Sequence, residues 1–220
     1  MSIQAPLEDA IRSLVDEFVQ EPYVFFTEAD AVVRFHQLLI RHPSLSRRVS
    51  TKDGHEVSLL HREYPTFFRF DDRNPTARLG PPARRGHYDT VLLNPDFAAA
   101  HPVETVLNRS IDAPREPDIV PFQAVVEFKL HTRGWSKGRS EAIVRELGKL
   151  HLSAEDAPLR YLVVLQRYLE PRLNRWEKYW PQVVNAADAS KDVGSIFAIC
   201  WINLGREAEV HRFGRWLTQE

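Results

Sequence analysis

Apolar residues recur three and four apart at the start of the chain, then give way to runs and alternation, so helices precede strands. Leu7, Ala10, Ile11, Leu14, Val15, Phe18 and Val19 make one stripe and predict an amphipathic helix over residues 6–20, with Pro22 beyond it. A second helix is expected after Thr27, carrying Ala29, Val32, Val33, His36, Leu39 and Ile40 along one side and stopped by Pro43. Residues 57–64 and 66–70 read as two strand pieces separated by Pro65, and residues 71–86, with Pro75, Pro81 and Pro82, as a polar loop. A strand follows in Gly86-His87-Tyr88-Asp89-Thr90-Val91-Leu92-Leu93, and another in Ala124-Val125-Val126-Glu127-Phe128-Lys129-Leu130. Between them, residues 94–122 are rich in Pro and charge. A connection that long suggests an insertion, with a helix near residues 103–108. Further on, the pattern predicts a helix over 140–150 and a buried strand over 160–165. A helix over 173–187, ended or kinked by Pro181, and a buried strand over 196–202 follow. An edge piece over 207–213 closes the chain.

That order describes an α/β sandwich: a mixed central sheet flanked by helices on both faces. The length suits one domain, 1–220, interrupted by the insertion at 94–122. No Gly-rich phosphate loop follows any strand, so a Rossmann or P-loop reading fails and no nucleotide cofactor is expected. No apolar run approaches the roughly eighteen residues of a membrane span, and residues 1–6 lack the features of a signal peptide. The single cysteine, Cys200, sits in an apolar run; it excludes a disulfide framework and a cysteine zinc cluster, and reads as core. A cytoplasmic protein is expected. The net charge of −1 does not advertise nucleic-acid binding, although Arg47-Arg48, Arg84-Arg85 and the stretches 133–139 and 206–215 are locally basic. Each such cluster alone reads first as solvated surface, and catalytic acids lower a nuclease's net charge without harming its groove. Charge therefore decides nothing.

The candidate chemistry lies in Glu127-Phe128-Lys129. Glu127 and Lys129 alternate, so both point to one face of a strand that would otherwise be apolar. With six lysines and 30 acids in 220 residues, about one Glu-x-Lys is expected by chance, so position rather than count carries the signal. The pair ends a β-branched run and follows a strand bearing one acid, Asp89. Two carboxylates on neighbouring strands can hold Mg²⁺ while several waters stay bound, and a lysine beside them can orient water or steady phosphorane charge. A strand-end salt bridge facing solvent is the alternative. In Thr27-Glu28-Ala29-Asp30, Thr27 is an N-cap and Asp30 the capping-box acid. Glu28 is not needed for capping, and is a third carboxylate ahead of the two strands.

Glu28 opening a helix, Asp89 on a strand and Glu127-Phe128-Lys129 on the next resemble the PD-(D/E)xK nuclease superfamily, over roughly residues 25–165. The resemblance implies a restriction-endonuclease-like αβββαβ core with an N-terminal helix and C-terminal additions. It implies Asp89 and Glu127 as metal ligands with the backbone carbonyl of Phe128, Lys129 as the catalytic lysine and Glu28 as an outer carboxylate. Mg²⁺, with Mn²⁺ as substitute, would be the cofactor and DNA the substrate. No Pro precedes Asp89, a departure at a variable position, and the long gap to Glu127 makes the two strands a hairpin with a large excursion. A catalytically silent module of the same fold, binding nucleic acid or a partner protein, is the second reading. An unrelated α/β scaffold with surface ion pairs is the third.

Lys137 and Arg139 in the loop Trp135-Ser136-Lys137-Gly138-Arg139, with Arg133 and Arg85, are candidate phosphate contacts. His131 shares the face of Lys129 and either contacts DNA or water or is an edge histidine; His87 stands likewise beside Asp89. Glu63 points to the cleft or forms a surface ion pair. Glu146 and Lys149 face the site or, the favoured reading, pair with each other or with solvent. Trp176, Tyr179 and Trp180 read as core or interface rather than a base-stacking platform. Double-strand cutting by one small site would call for a homodimer, with residues 94–122 as a candidate contact.

Overall fold

Helix α1, Gln4–Gln20, buries Leu7, Ile11, Leu14 and Phe18, the stripe its spacing lays on one side. Helix α2, Glu28–Leu39, starts at a capping box: Thr27 accepts from the Asp30 amide and Asp30 accepts from the Thr27 amide. Its buried stripe is Ala31, Val32, Phe35, Leu38 and Leu39, whereas Val33 and Ile40 are exposed, so the inward face turns on Phe35. The structure, a computed structural model, describes residues 3–71, 73–107, 119–168, 176–201 and 209–213.

A short helix α3, Pro43–Ser46, leads into a two-stranded antiparallel ribbon of β1, Arg48–Ser50, and β2, Glu56–Ser58. The strand expected over 57–64 is therefore divided: residues 57 and 58 belong to the ribbon, and 60–64 to β3, Leu60–Phe70. Strand β3 runs on through Pro65, where the sequence suggested a break. It lies at the edge of the sheet, where a missing N–H is tolerated.

The main sheet holds β3, β4 (Arg84–Leu93), β5 (Phe122–His131), β6 (Leu159–Tyr168), β7 (Gly194–Trp201) and β8 (Glu209–Phe213), in that spatial order. Strands β3, β4 and β5 are mutually antiparallel, β5, β6 and β7 parallel, and β8 antiparallel to β7. The sheet is thus mixed, as expected. Between β4 and β5 lie helix α4, Pro95–Ala100, and helix α5, Val103–Val106. The rest of the expected insertion, 108–118, falls outside the described residues, as do 173–175 of the expected helix, 202 of the expected strand, 207–208 of the edge piece and half of the basic stretch 206–215.

Consecutive residues of β5 face opposite layers. Phe128 meets Phe35 of α2, ring centroids 5.1 Å apart, while Glu127 meets helix α6, Lys137–Leu152, through Lys149. Helix α1 joins the α2 layer, where Tyr161 of β6 donates to Glu8. Helix α7, Trp176–Ala189, joins the α6 layer, Trp180 packing edge-on against Phe197 of β7. Pro181 lies inside α7 without ending it, one lost backbone hydrogen bond being outweighed by the burial of Val183 and Ala187. Cys200 is core, its thiol pushed up to about 11 by burial. Among the described residues no helix is long and apolar enough to cross a membrane.

Phe35 has no accessible surface and ties α2 to β5. Phe35→Ala is expected to cost about 3–5 kcal/mol in urea unfolding; a loss below about 1 kcal/mol would show that α2 is not anchored there.

Candidate active site

Strands β4 and β5 stop pairing where the chemistry lies. Their ladder runs through Leu92↔Ala124 and Val91↔Val125 to Thr90↔Val126, and ends one residue short of Asp89 and Glu127. Beyond that point Asp89 Oδ2 accepts from the Phe128 amide at 2.6 Å, so a carboxylate takes the place of a strand carbonyl. The structure brings together all four acids and bases singled out in the sequence. Lys129 Nζ donates to the Phe128 carbonyl at 2.7 Å and to Glu28 Oε1 at 3.1 Å, and the second oxygen of Glu28 accepts from the Leu130 amide at 3.3 Å. The capping box fixes where α2 begins, and so where Glu28 stands.

Two further groups complete the cluster. Glu146 and Lys149 do pair, at 2.7 Å, as their spacing along α6 suggests, but each also reaches β5. Lys149 Nζ lies 2.6 Å from Glu127 Oε1 and donates to the His87 carbonyl at 2.9 Å, and Glu146 lies 3.5 Å from Lys129. Their i, i+3 spacing was legible; which way that face of the helix turns was not.

Four carboxylates (Glu28, Asp89, Glu127, Glu146) thus surround two ammonium groups, Lys129 and Lys149. Glu127 is only 1% exposed, and burial pushes its carboxyl well above the ordinary range. Glu146 and Asp89 push the same way, and together these outweigh the close contact with Lys149. Its Oε1 makes no well-aligned hydrogen bond despite that contact. Burial likewise raises Glu28, against the pull of Lys129. Burial opposes the charge of Lys129 and of Glu146, yet the former stays above its usual value through Glu146, Glu127, Glu28 and Asp89. The latter stays below its usual value through the two lysines.

Among the described residues no three His, Cys, Asp or Glu side chains are grouped so as to hold a metal ion. Mg²⁺ does not demand such a cage, since one or two carboxylates suffice when waters and substrate oxygens complete the shell. Asp89, Glu127 and the Phe128 carbonyl are the groups that could make up that smaller set, although Asp89 already accepts from the Phe128 amide and Glu127 Oε1 faces Lys149 at 2.6 Å. With every group ionised, the four carboxylates exceed the two ammonium groups by two negative charges, and Glu127 Oε1 makes no well-aligned hydrogen bond. The Phe128 carbonyl is engaged by Lys129, and Glu28 by Lys129 and Leu130.

Most of the expected nucleic-acid contacts are differently employed. The stretch 135–139 is not a free basic loop: Ser136 caps α6, which begins at Lys137, and the Arg139 guanidinium folds back onto the carbonyls of Arg133 and Gly134. Arg85 is partly buried, its Nε donating to the Thr66 carbonyl at 2.9 Å. Lys137 is exposed and stands 3.5 Å from Glu141; Arg133 is exposed. His131 is no open surface contact. Its Nδ1 lies 3.2 Å from Gln166 Oε1, and burial with Arg139 lowers it to about 4, so it is neutral near pH 7. Because that amide oxygen only accepts, Nδ1 carries the proton. His87 is exposed. Trp180 packs between Trp135 and Phe197 and Tyr179 against the core; the Trp176 side chain lies outside the described residues.

A cleft of about 710 Å³ opens beside the cluster, lined by Glu28, Ala29, Val32 and His36 of α2, Leu60, His61, Arg62 and Glu63 of β3, and Asp89. Glu63 is there and exposed, and among the described residues it forms no ion pair. No family model matches the chain, and neither a curated protein nor a solved structure shows a significant match.

The raised carboxyl of Glu127 has a definite sign in stability. The native state holds its proton more tightly than the unfolded chain does. Its contribution is therefore best at low pH and is lost as pH rises from 4.5 through the raised native value. Glu127→Gln is expected to be more stable than the parent near pH 7.5, with Glu146 still opposite Lys149, and to lose that advantage near pH 4. Urea melts at the two pH values read this directly. A variant less stable at neutral pH would mean that Lys149 stabilises the carboxylate outright.

Proposed function

We propose that the chain is a Mg²⁺-dependent nuclease that hydrolyses DNA phosphodiester bonds, built on a restriction-endonuclease-like core. The order α2, β3, β4, β5, α6, β6 is similar to the αβββαβ arrangement that the sequence resemblance implies. What carries the reading is the parting of β4 and β5 at Asp89 and Glu127, with Lys129 beside them and two of the cluster's carboxylates, Glu28 and Asp89, lining an open cleft.

Asp89, Glu127 and the Phe128 carbonyl would hold the ion. When bound, it would polarise a phosphoryl oxygen and activate water. The protein's own groups have separable tasks. Lys129, an ammonium with Glu28 and Glu146 around it, is a hydrogen-bond donor at the reacting centre, suited to orienting water or to steadying charge on the phosphorane. Glu28 aims that ammonium while fixing the Leu130 amide. Lys149 and Glu146 hold Glu127 from the α6 side. A dimer for double-strand cutting remains part of the proposal, with no interface assigned.

A second reading is favoured by one observation. Lys149 stands against Glu127 and Lys129 against the Phe128 carbonyl, so ammonium groups already engage two of the three donors. A silent module that binds nucleic acid or a partner protein would keep them there.

Titrating Mg²⁺ and Mn²⁺ against plasmid and single-stranded DNA separates the two. Metal-dependent cutting is expected, abolished in Asp89→Ala and Glu127→Ala with the fold retained. Lys129→Ala is expected to lose roughly 10²–10³-fold in turnover while still binding metal. Metal binding without cleavage selects the silent module. No metal binding at all rejects the site.

A further inference from the structure

The cleft beside Asp89 has an unusual wall. A regular strand sends successive side chains to opposite faces, yet His61, Arg62 and Glu63 of β3 all line this one cleft. At Glu63 the backbone leaves regular alternation: its φ is 50°, a left-handed conformation uncommon for a residue with a side chain. The ladder skips it, pairing Arg62 with Thr90 and Tyr64 with Tyr88. At the sheet edge nothing beyond β3 requires regular alternation.

Charge along the cleft is divided. Glu28 and Asp89 lie at the cluster, while Arg62, exposed one strand across opposite Thr90, lines the same cleft. Both imidazoles in the wall are already engaged: His61 Nε2 lies 2.6 Å from the Ser58 carbonyl, and His36 Nε2 3.1 Å from Thr90 Oγ1. Burial holds both below the usual histidine value, His36 at about 4 with Arg62 adding to the effect. Among the described residues lining the cleft, Arg62 is therefore the group that stays cationic at neutral pH, and it makes no ion pair or hydrogen bond with another described side chain.

We infer that Arg62 grips a phosphate neighbouring the scissile one, so that the substrate strand runs from Asp89 along the cleft between α2 and β3. This rests on the nuclease reading and specifies its substrate path. An arginine fork matches a phosphate's oxygens, and a nucleic-acid strand presents a second phosphate one nucleotide from the one being cut. The adjacent carboxylates of Glu63 and Asp89 make the wall a poor site for a free anion. They matter less to a strand anchored at the metal centre. Arg62 is a positioning residue: it sets where the strand lies and takes no part in bond making.

The test is the salt dependence of binding, measured by fluorescence anisotropy of a labelled oligonucleotide with the full chain in chelator, where cleavage is silent. Each phosphate contact contributes about 0.7 (single strand) to 0.9 (duplex) to the slope of log K against log salt. Arg62→Ala is expected to make that slope shallower by about one contact, with Arg62→Lys restoring it. Arg48→Ala, an exposed arginine on β1 that does not line the cleft, is expected to leave it unchanged. In cleavage, Arg62→Ala is expected to raise KM severalfold and leave kcat within about twofold. A wild-type chain that binds and cuts, beside an Arg62→Ala variant with the same slope and KM, overturns the Arg62 assignment alone. A loss confined to kcat also overturns it, since that would put Arg62 in the chemistry. A wild-type chain that neither binds nor cuts overturns the nuclease reading, and the assignment with it.

Discussion

One hydrogen bond sets up the rest of the site: the Phe128 amide donating to the Asp89 carboxylate. Two antiparallel strands that separate inside a folded core leave backbone donors with nothing to pair. Between β4 and β5 that donor is met by a side chain of the departing strand itself. The strands can then splay without an orphaned amide just where Glu127 and Lys129 follow. The same bond brings the first carboxylate against the second, which sets both the electrostatic strain and the chemical capacity of the place. A neutral side chain at position 89 would relieve the repulsion between carboxylates, weaken or lose the bond to the Phe128 amide, and remove the chemical capacity.

Burying that many charges is costly, and the structure shows how the cost is divided. Lys149 counters Glu127 and Glu146 from the α6 side, and Lys129 stands between Glu28 and Glu146 at the open end. Buried pairs of this kind contribute little net stability, while removing one partner leaves an uncompensated charge. The network is better understood as positioning than as glue. It holds Glu127 against one helix layer while Phe128, the next residue, anchors in the other. A site built this way sits on rigid elements: the capped start of α2, the middle of α6 and the centre of β5.

Several elements were readable from local pattern because local physics decides them. The stripe of α1, the Thr27–Asp30 capping box and the apolar runs of β5, β6 and β7 are properties of neighbouring residues. Pro65 misled, and Pro181 did not end its helix, for the opposite reason. Each removes a backbone donor, but whether that donor was needed depends on what lies beside it: an open sheet edge at Pro65, a packed helix at Pro181. The basic stretch 133–139 misled similarly. Ser136 turned it into a helix start, and Arg139 found carbonyls within its own turn rather than a ligand.

Among the site residues, Asp89, Glu127 and Lys129 were legible in the sequence because an acid or a lysine in an apolar strand run is anomalous wherever the strand goes, and Glu28 because it opens a helix whose capping it does not serve. Spacing alone put Glu127 and Lys129 on one face. It could not show that β4 and β5 part at that point. Nor could it show that α6 turns Glu146 and Lys149 toward β5, or that a left-handed Glu63 opens a cleft wall at Arg62. Those are relations between segments 22 to 101 residues apart, set by which layer each element packs into and where each ladder ends. Period and composition determine what an element is. Only the closing of the sheet between its two helical layers decided which charged groups share one space.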